Sequence, residues 1–451
     1  MPDPFRHYEG VPVLDLPADP AAPDKLAADG APLYEASVFL SQLLFYSAAI
    51  SASKVVPSTG FRYALRVNPS SGNLHPTEFH FVTHGLKDWP DGLYHYRPSS
   101  HMAEQRATGD FRIAGSDAPI IFILTSIAWR EEWKYRDRAY RYCLHDIGHA
   151  WQALALGAEA FGCKTRAIVD FADDEIARAL RLNEDEWPML ILEISGAVRK
   201  SDPGETVWYG GQANQLSKDT IPYPRIETIH AATKVIFNSA AQNSAARNSA
   251  VEPAPTGSGE IKLPPPVKST RSFGDVVRAR RSALDFVGGA QTISLRQLSA
   301  LLANAAPLLS FIQLYLYVHR VDGLEQGVYR FWPRHAELQL VRAGDQRVAA
   351  AGLSLGQDLA GNACVAFSMI GDLDRAARAH GDRGYRYVHF EAGAIGHRLY
   401  LAAEALGLGA TGIGAFYDEE VHRYLHVLPE QGQVVYHFAI GYPIPDPRLH
   451  A

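Results

Sequence analysis

The segment that begins Tyr140-Arg141-Tyr142 and runs to Ile176 aligns without a gap on the segment from Tyr385-Arg386-Tyr387 to Val421, a constant offset of 385 − 140 = 245. Shared positions include Gly148/Gly393, Leu154/Leu399, Leu156/Leu401, Ala158/Ala403, Glu159/Glu404, Gly162/Gly407, Ile168/Ile413, Phe171/Phe416 and Asp173/Asp418. Echoes bracket the match, with Gly92-Leu93-Tyr94 against Gly327-Val328-Tyr329 and Ile194-Ser195-Gly196 against Ala439-Ile440-Gly441. Solenoid repeats are shorter and more numerous, so two copies of this size describe one domain used twice. A chain of 451 residues that is 47% hydrophobic has the length for more than one core.

Each copy reads as a sheet with long helices beside it. Residues 118–125 and 189–194 are short apolar runs of buried-strand type, and residues 434–440 are the counterpart of the second. Residues 144–161 and 389–406 carry apolar side chains at helical spacing and stop at Gly162 and Gly407, which read as C′ glycines. The division that follows is a Pro-rich arm over 1–33, a first half over 34–225, a linker over 226–270 and a second half over 271–451. Small polar residues at 238–250 and Pro264-Pro265-Pro266 give the linker its character, part flexible and part polyproline-like.

Charge excludes two classes of partner. A net charge of −6 and a pI near 6.3 leave no basic footprint for nucleic acid or an anionic membrane. Cys143, Cys163 and Cys364 form no CxxC or disulfide framework, and no apolar run has signal-peptide or membrane-spanning character. The expectation is a soluble, cytoplasmic protein.

Three segments carry chemistry, and they are unequally shared. Asn68-Pro69-Ser70-Ser71-Gly72-Asn73-Leu74-His75-Pro76-Thr77 packs hydroxyls and an amide into a loop where a bare pattern would read only as a turn. Arg280-Arg281-Ser282 offers two guanidinium groups and a hydroxyl, a set suited to a phosphate, although such triplets are most often solvated surface. Gly412-Ile413-Gly414-Ala415-Phe416 has glycines that let backbone approach a planar ring. The first copy has residues 34–41 where an Arg-Arg-Ser would stand, and its counterpart of the glycine segment is Ala167-Ile168-Val169-Asp170-Phe171. The second copy has no Ser-Ser-x-Asn loop, because residues 301–310 lead almost directly into 311–318. The losses are complementary.

Two patterns imitate other sites. Residues 407–412 fit G-x-G-x-x-G, but a dinucleotide fingerprint follows a strand and opens a helix, whereas here a long helix comes first. His145-Asp146-Ile147-Gly148-His149 imitates a zinc helix, yet Asp replaces Glu and the second-half positions are Phe390 and Ala394. A polar patch on a packed helix is the reading.

The Ser70-Ser71 loop, with His75 where Gln is usual, resembles the flavin-contacting loop of the nitroreductase superfamily. The segment Trp133-Lys134-Tyr135-Arg136-Asp137-Arg138-Ala139-Tyr140-Arg141-Tyr142 is similar to the Lys-Tyr signature of its SagB/ThcOx-type dehydrogenases, which include azoline oxidases of peptide natural-product pathways. Residues 4–10, Ala64-Leu65-Arg66 and residues 92–98 match the same branch. The resemblance implies an α+β nitroreductase-like fold duplicated in tandem as an intramolecular pseudo-dimer, with further homo-oligomerisation open. It implies FMN as cofactor, one site drawing on both halves, and a vestigial second site. By that resemblance Arg66, Pro69, Ser70, Ser71, Asn73, Gly412, Gly414 and Ala415 hold the flavin, and Arg280, Arg281 and Ser282 its phosphate. Lys134 and Tyr135 are then catalytic: a lysine lowered in pKa by burial, or a tyrosine beside a cation, takes the proton when hydride leaves the substrate. The second half has Ala379-His380 at these positions. The implied function is an oxidoreductase acting on a small molecule or peptide-derived heterocycle, without nucleic acid, membrane or metal. An NAD(P)H-dependent nitroreductase or quinone reductase, or a scaffold with a relic flavin site, are the alternatives.

Overall fold

The apolar runs of each copy become the central strands of a sheet because helices cover them. The structure, a computed structural model, describes residues 1–23, 36–196, 204–235, 261–306, 308–309 and 311–450. The chain divides into two compact units, Met1–Phe237 with Phe273–Arg278 and Leu449–Ala451, and Asn238–Ser272 with Ala279–Arg448. The polar part of the expected linker, 238–250, lies outside the described residues. Helix Pro224–Ala232 and strand Ile261–Lys262 stand on either side of that stretch.

In the first unit the sheet runs Val207–Trp208, Met102–Thr108, Gly92–Arg97, Thr77–Thr83, Ile120–Ile127, Glu186–Ser195, Lys164–Ile168, all pairs antiparallel. In the second it runs Ile261–Lys262, Glu337–Ala343, Gly327–Trp332, Ile312–Val318, Val365–Gly371, Gln433–Gly441, Gly409–Ile413, again all antiparallel. Apart from the edge strands Val207–Trp208 and Ile261–Lys262, which follow the others in the first unit's chain and precede them in the second's, the remaining six strands have the same order, so the sequence repeat is a repeat of fold. Long helices Ala139–Ala160 and Gly384–Ala405 follow the short helices Trp129–Tyr135 and Leu373–His380 in each.

The helix stops behave as the sequence implies. Gly162 has φ 78° and Gly407 φ 73°. Each closes a Schellman motif, Gly162 N–H to Glu159 O at 2.9 Å with Cys163 N–H to Ala158 O at 2.9 Å, and Gly407 N–H to Glu404 O at 3.1 Å with Leu408 N–H to Ala403 O at 2.9 Å.

Period-2 alternation puts Glu78, His80 and Val82 on one face of their strand. Around Val82 that face is apolar, and Ile176 and Leu180 of helix Asp173–Leu180 pack there on Ile121, Ile123 and Ile191. Further along, it is charged and dry. Glu186 accepts from His80 at 2.7 Å and Thr125 at 2.6 Å, with Arg6 3.7 Å away. His95 lies between Glu78 at 3.0 Å and Glu104 at 2.9 Å. All of these are buried. The N-terminal arm closes the network, as Tyr8 N–H donates to Glu104 at 3.1 Å and the Arg106 guanidinium lies 3.6 Å from the Tyr8 ring centroid. Charges at such depth persist only when paired. From the arm, Arg6 and Tyr8 supply that pairing.

Candidate active site

The loop after Arg66 is tied to the long helix by one carboxylate. Asp146, from that helix, accepts from Ser70 Oγ at 2.7 Å, Ser71 N–H at 3.1 Å and Ser71 Oγ at 3.1 Å. Ser70 Oγ in turn accepts from His75 N–H at 2.8 Å, and Asn73 Nδ2 donates to Ala64 O at 2.8 Å. The backbone bends tightly enough that Gly72, Asn73 and His75 have φ of 59°, 60° and 49°, and for the last two this is the left-handed region that non-glycine residues seldom enter. Burial pushes the Asp146 carboxyl up to about 7, against the pull of the Ser70 and Ser71 donors.

Over this loop the Lys-Tyr pair converges. A Cβ placed on Gly72 would sit 2.5 Å from Tyr135 Oη and 3.0 Å from Lys134 Nζ, so both side-chain heads reach the loop's glycine. The Lys134 ammonium is 5.2 Å from the Tyr135 ring centroid, and the Tyr135 ring meets Tyr142 edge-on at 4.5 Å. Lys134 is exposed, so the burial expected for it is not found. Tyr135 is the more buried, and burial together with the Glu131 and Asp146 carboxyls raises its pKa, which makes it a holder of its proton. Arg136 follows at φ 52°, ψ −138°, whereas its counterpart Gly381 takes φ 61°, ψ −153°. The copy carrying the pair thus forces an arginine into a glycine conformation, a strain of the kind that collects at functional sites.

Arg130 locks pair and loop together from below. It donates to His75 O at 2.7 Å, to Asp3 O at 2.9 Å and to Glu78. Arg66 lies under the N-terminal arm, donating to Pro4 O at 2.7 Å with Phe5 at 5.2 Å from its guanidinium, and Pro69 is buried beside it in the chain.

The second unit gathers its own set. Arg280 is 3% exposed with its guanidinium 5.1 Å from the Tyr400 ring centroid. Ser282 Oγ lies 2.8 Å from Tyr400 Oη, which also accepts from Gly412 N–H at 2.8 Å. Arg281 donates to Arg280 O at 2.6 Å. A Cβ on Gly412 would fall 1.9 Å from Tyr436 Oη, so only glycine fits there. Gly414 and Ala415 continue from that strand, and Ala415 O accepts from Gln357 at 3.2 Å. The arginine segment and the glycine strand, 130 residues apart in sequence, are therefore one cluster around Tyr400.

Asp146 went unseen in the sequence, where it reads as part of a polar patch. Its signal was the repeat itself: at the same offset stands Glu391, which accepts from Leu309 N–H and, at 2.7 Å, from Phe311 N–H. An acid at this position of the long helix holds the loop in both copies. The 407–412 glycines lie in the turn from the long helix into strand Gly409–Ile413. No described helix is long and apolar enough to cross a membrane.

The nitroreductase family pattern matches residues 48–196 and 277–442. A protein of Methanocaldococcus jannaschii named as a nitroreductase is 38% identical over 26% of this chain and 59% of its own length. The microcin B17-processing protein McbC of Escherichia coli is 28% identical over 30% of this chain and 54% of its own. The chain thus spans a little over half the length of these curated relatives. A solved structure from Anabaena variabilis described as a nitroreductase is 25% identical, superposes with a TM-score of 0.81, and covers 98% of this chain and 94% of that one.

Proposed function

The chain belongs to the nitroreductase family, and on that footing we propose that it is an FMN-dependent dehydrogenase of the SagB/ThcOx type acting on a peptide-derived azoline or a related small heterocycle. The observation that carries the reading is the meeting of Lys134 Nζ and Tyr135 Oη over Gly72 of the Ser70-Ser71 loop. The likeness to a protein named for microcin B17 processing supports the peptide class of substrate.

The donor sets suit FMN. Arg280, Arg281 and Ser282 offer the positive charge and hydroxyl that a phosphate accepts, whereas Gly412 is closed over by the Tyr436 hydroxyl and gives its N–H to Tyr400. Ser70 and Ser71 keep hydroxyl lone pairs for a ring edge even with their present partners, while the Asn73 amide is engaged at both ends, with Ala64 O and His75 Nε2. When bound, FMN supplies a two-electron hydride acceptor. The chain's residues do the rest: Asp146 fixes the loop, Tyr135 keeps its proton for donation or hydrogen bonding, and Lys134 Nζ, in its uncharged form, receives the substrate's proton.

Because each half keeps what the other has lost, the protein should hold one FMN per chain. Denaturing release and quantification against protein measures this, and two equivalents would overturn it. Arg281→Ala should weaken FMN by about tenfold to a hundredfold, a lost charge-assisted contact costing ~1.5–3 kcal/mol, and should leave riboflavin nearly unaffected. Equal weakening of both would remove Arg281 from the phosphate. Anaerobic bleaching of the flavin by a synthetic thiazoline-containing peptide, and not by NAD(P)H, is the expected outcome. Bleaching by NAD(P)H alone would favour a nitroreductase or quinone reductase, the reading that the M. jannaschii relative's name supports.

Asp146→Ala should lower FMN affinity by about tenfold or more, since three donors of the loop lose their shared carboxyl acceptor. Glu391→Ala, at the equivalent place in the other copy, is the control and should leave FMN affinity unchanged. Fluorescence titration with FMN measures both.

A further inference from the structure

Two tryptophans on the helix that carries the Lys-Tyr pair have no role in the site as built so far. Trp129 and Trp133 are four residues apart on helix Trp129–Tyr135, so they share one of its faces. Trp129 is anchored, its Nε1 donating to Ser217 Oγ at 2.7 Å. Trp133 is 44% exposed, although tryptophan is on average among the well-buried residues.

The second copy shows that the fold does not ask for them. Short turns Arg136–Arg138 and Gly381–Arg383 and the long helices after them keep the offset of the repeat, which brings Trp129 onto Asp374 and Trp133 onto Arg378. Both of those are exposed and charged, as a helix face turned to water ordinarily is. The face is apolar only in the copy that carries Lys134-Tyr135.

A second segment widens that face. Ser217 lies against Trp129, and eight residues later Arg225 Nη1 is 3.5 Å from Asp137, in the turn that follows the helix. The chain from Ser217 to Arg225 therefore runs alongside the stretch from Trp129 to Asp137. Ile221 stands midway along one and Trp133 midway along the other, and Ile221 is 61% exposed. The result is an indole and a branched aliphatic side chain on one strip of surface, bordered by the exposed charges of Lys134, Asp137 and Arg225. Exposed apolar surface inside a polar rim marks a place of binding.

The strip begins beside the reacting pair. Trp133 precedes Lys134 and both are exposed, so the apolar surface continues into the group proposed to take the substrate's proton. A heterocycle made from a peptide keeps the residues on either side of it, each ~3.3–3.6 Å along an extended chain. A side chain within a few residues of the ring thus comes over the strip while the ring stands at the pair.

We propose that Trp133 and Ile221 are specificity-determining residues that hold an apolar side chain of the peptide flanking the heterocycle. The proposal rests on the reading of the protein as an azoline dehydrogenase with Lys134 and Tyr135 at the reacting ring. The grip needs no charge and no hydrogen bond, because it comes from apolar surface of substrate and indole withdrawn from water together.

Two thiazoline-containing peptides that differ only in having leucine or serine at the positions flanking the ring test this on the FMN-loaded protein. Anaerobic stopped-flow reduction of the flavin gives a limiting rate and an apparent Kd for each. Wild type should bind the leucine peptide about tenfold more tightly than the serine peptide. In Trp133→Arg, a residue type that the second copy carries at this place, and in Ile221→Ser, the preference should fall to about twofold or less, through Kd and not through the limiting rate. An unchanged preference in both variants overturns the proposal. A fall in limiting rate with Kd intact also overturns it, since Trp133 would then be a support for Lys134. Sedimentation velocity addresses another occupant: a wild-type dimer that Trp133→Arg dissociates makes the strip a contact between two copies of the chain and overturns it. A wild-type flavin that neither peptide reduces counts against the proposed function. Calorimetric titration with the matching thiazole peptides, already oxidised, then decides the strip by itself. The same leucine preference, lost in Trp133→Arg, upholds it, and equal binding of the two peptides or none overturns it.

Discussion

Lys134→Ala and Tyr135→Phe will each retain a full complement of FMN while flavin reduction by a thiazoline-containing peptide slows roughly 10²–10⁴-fold, the cost of removing a positioned proton-transfer group. The separation follows from the geometry. Both heads meet over Gly72, whereas the loop's own shape depends on Asp146, Ser70 and Ala64, which neither substitution touches. Reduction by dithionite, which needs no base from the protein, should proceed at the wild-type rate in both variants. Loss of FMN from both, or undiminished turnover of the peptide, would return the pair to a packing role.

Glu186→Ala is expected to be the most destabilising single change in the first unit. It strands His80, Thr125 and Arg6 in the interior at once, and breaking a buried ion pair by removing one partner costs about 3–5 kcal/mol. Urea unfolding should show the midpoint falling with the slope preserved. The same network sets the acid limit. His80 and Arg6, acting against the opposing effect of burial, hold Glu186 far below its unfolded value of 4.5, and Arg130 and His95 likewise bring Glu78 down to about 2. Groups depressed on folding stabilise above their unfolded pKa and lose that contribution as pH falls through the folded one. Wild type should therefore weaken steeply from about pH 4.5 towards pH 2, and Glu186→Ala should show a shallower acid limb. An unchanged limb would place the acid sensitivity elsewhere.

Much of the fold was legible because it is written locally and written twice. The apolar runs at 118–125 and 189–194 became strands Ile120–Ile127 and Glu186–Ser195, and Gly162 and Gly407 ended the helices through a motif that needs only neighbouring residues. The helix starts were set too late, at 144 and 389 in place of Ala139 and Gly384, because the first turn of each carries Tyr and Arg side chains whose burial is tertiary. The asymmetry of the two copies, including Lys134-Tyr135 against Ala379-His380, also needed nothing but the sequence.

What the sequence determined by itself was thus the doubled domain, its strands and helix ends, and which copy carries which chemical group. Only tertiary structure decided what those groups meet. Ser70 and Asp146 are 76 residues apart, Arg6 and Glu186 are 180, and no spacing rule joins one acid to one loop across such distances. The same holds for Glu131, which in sequence is one of two adjacent acids on a short helix. Burial separates them, since Glu131 loses all water and finds no donor, while Glu132 keeps 8% of its surface in solvent. Helical periodicity gives a side chain its direction, but the dielectric around it depends on everything packed against that face, and this the fold alone supplies.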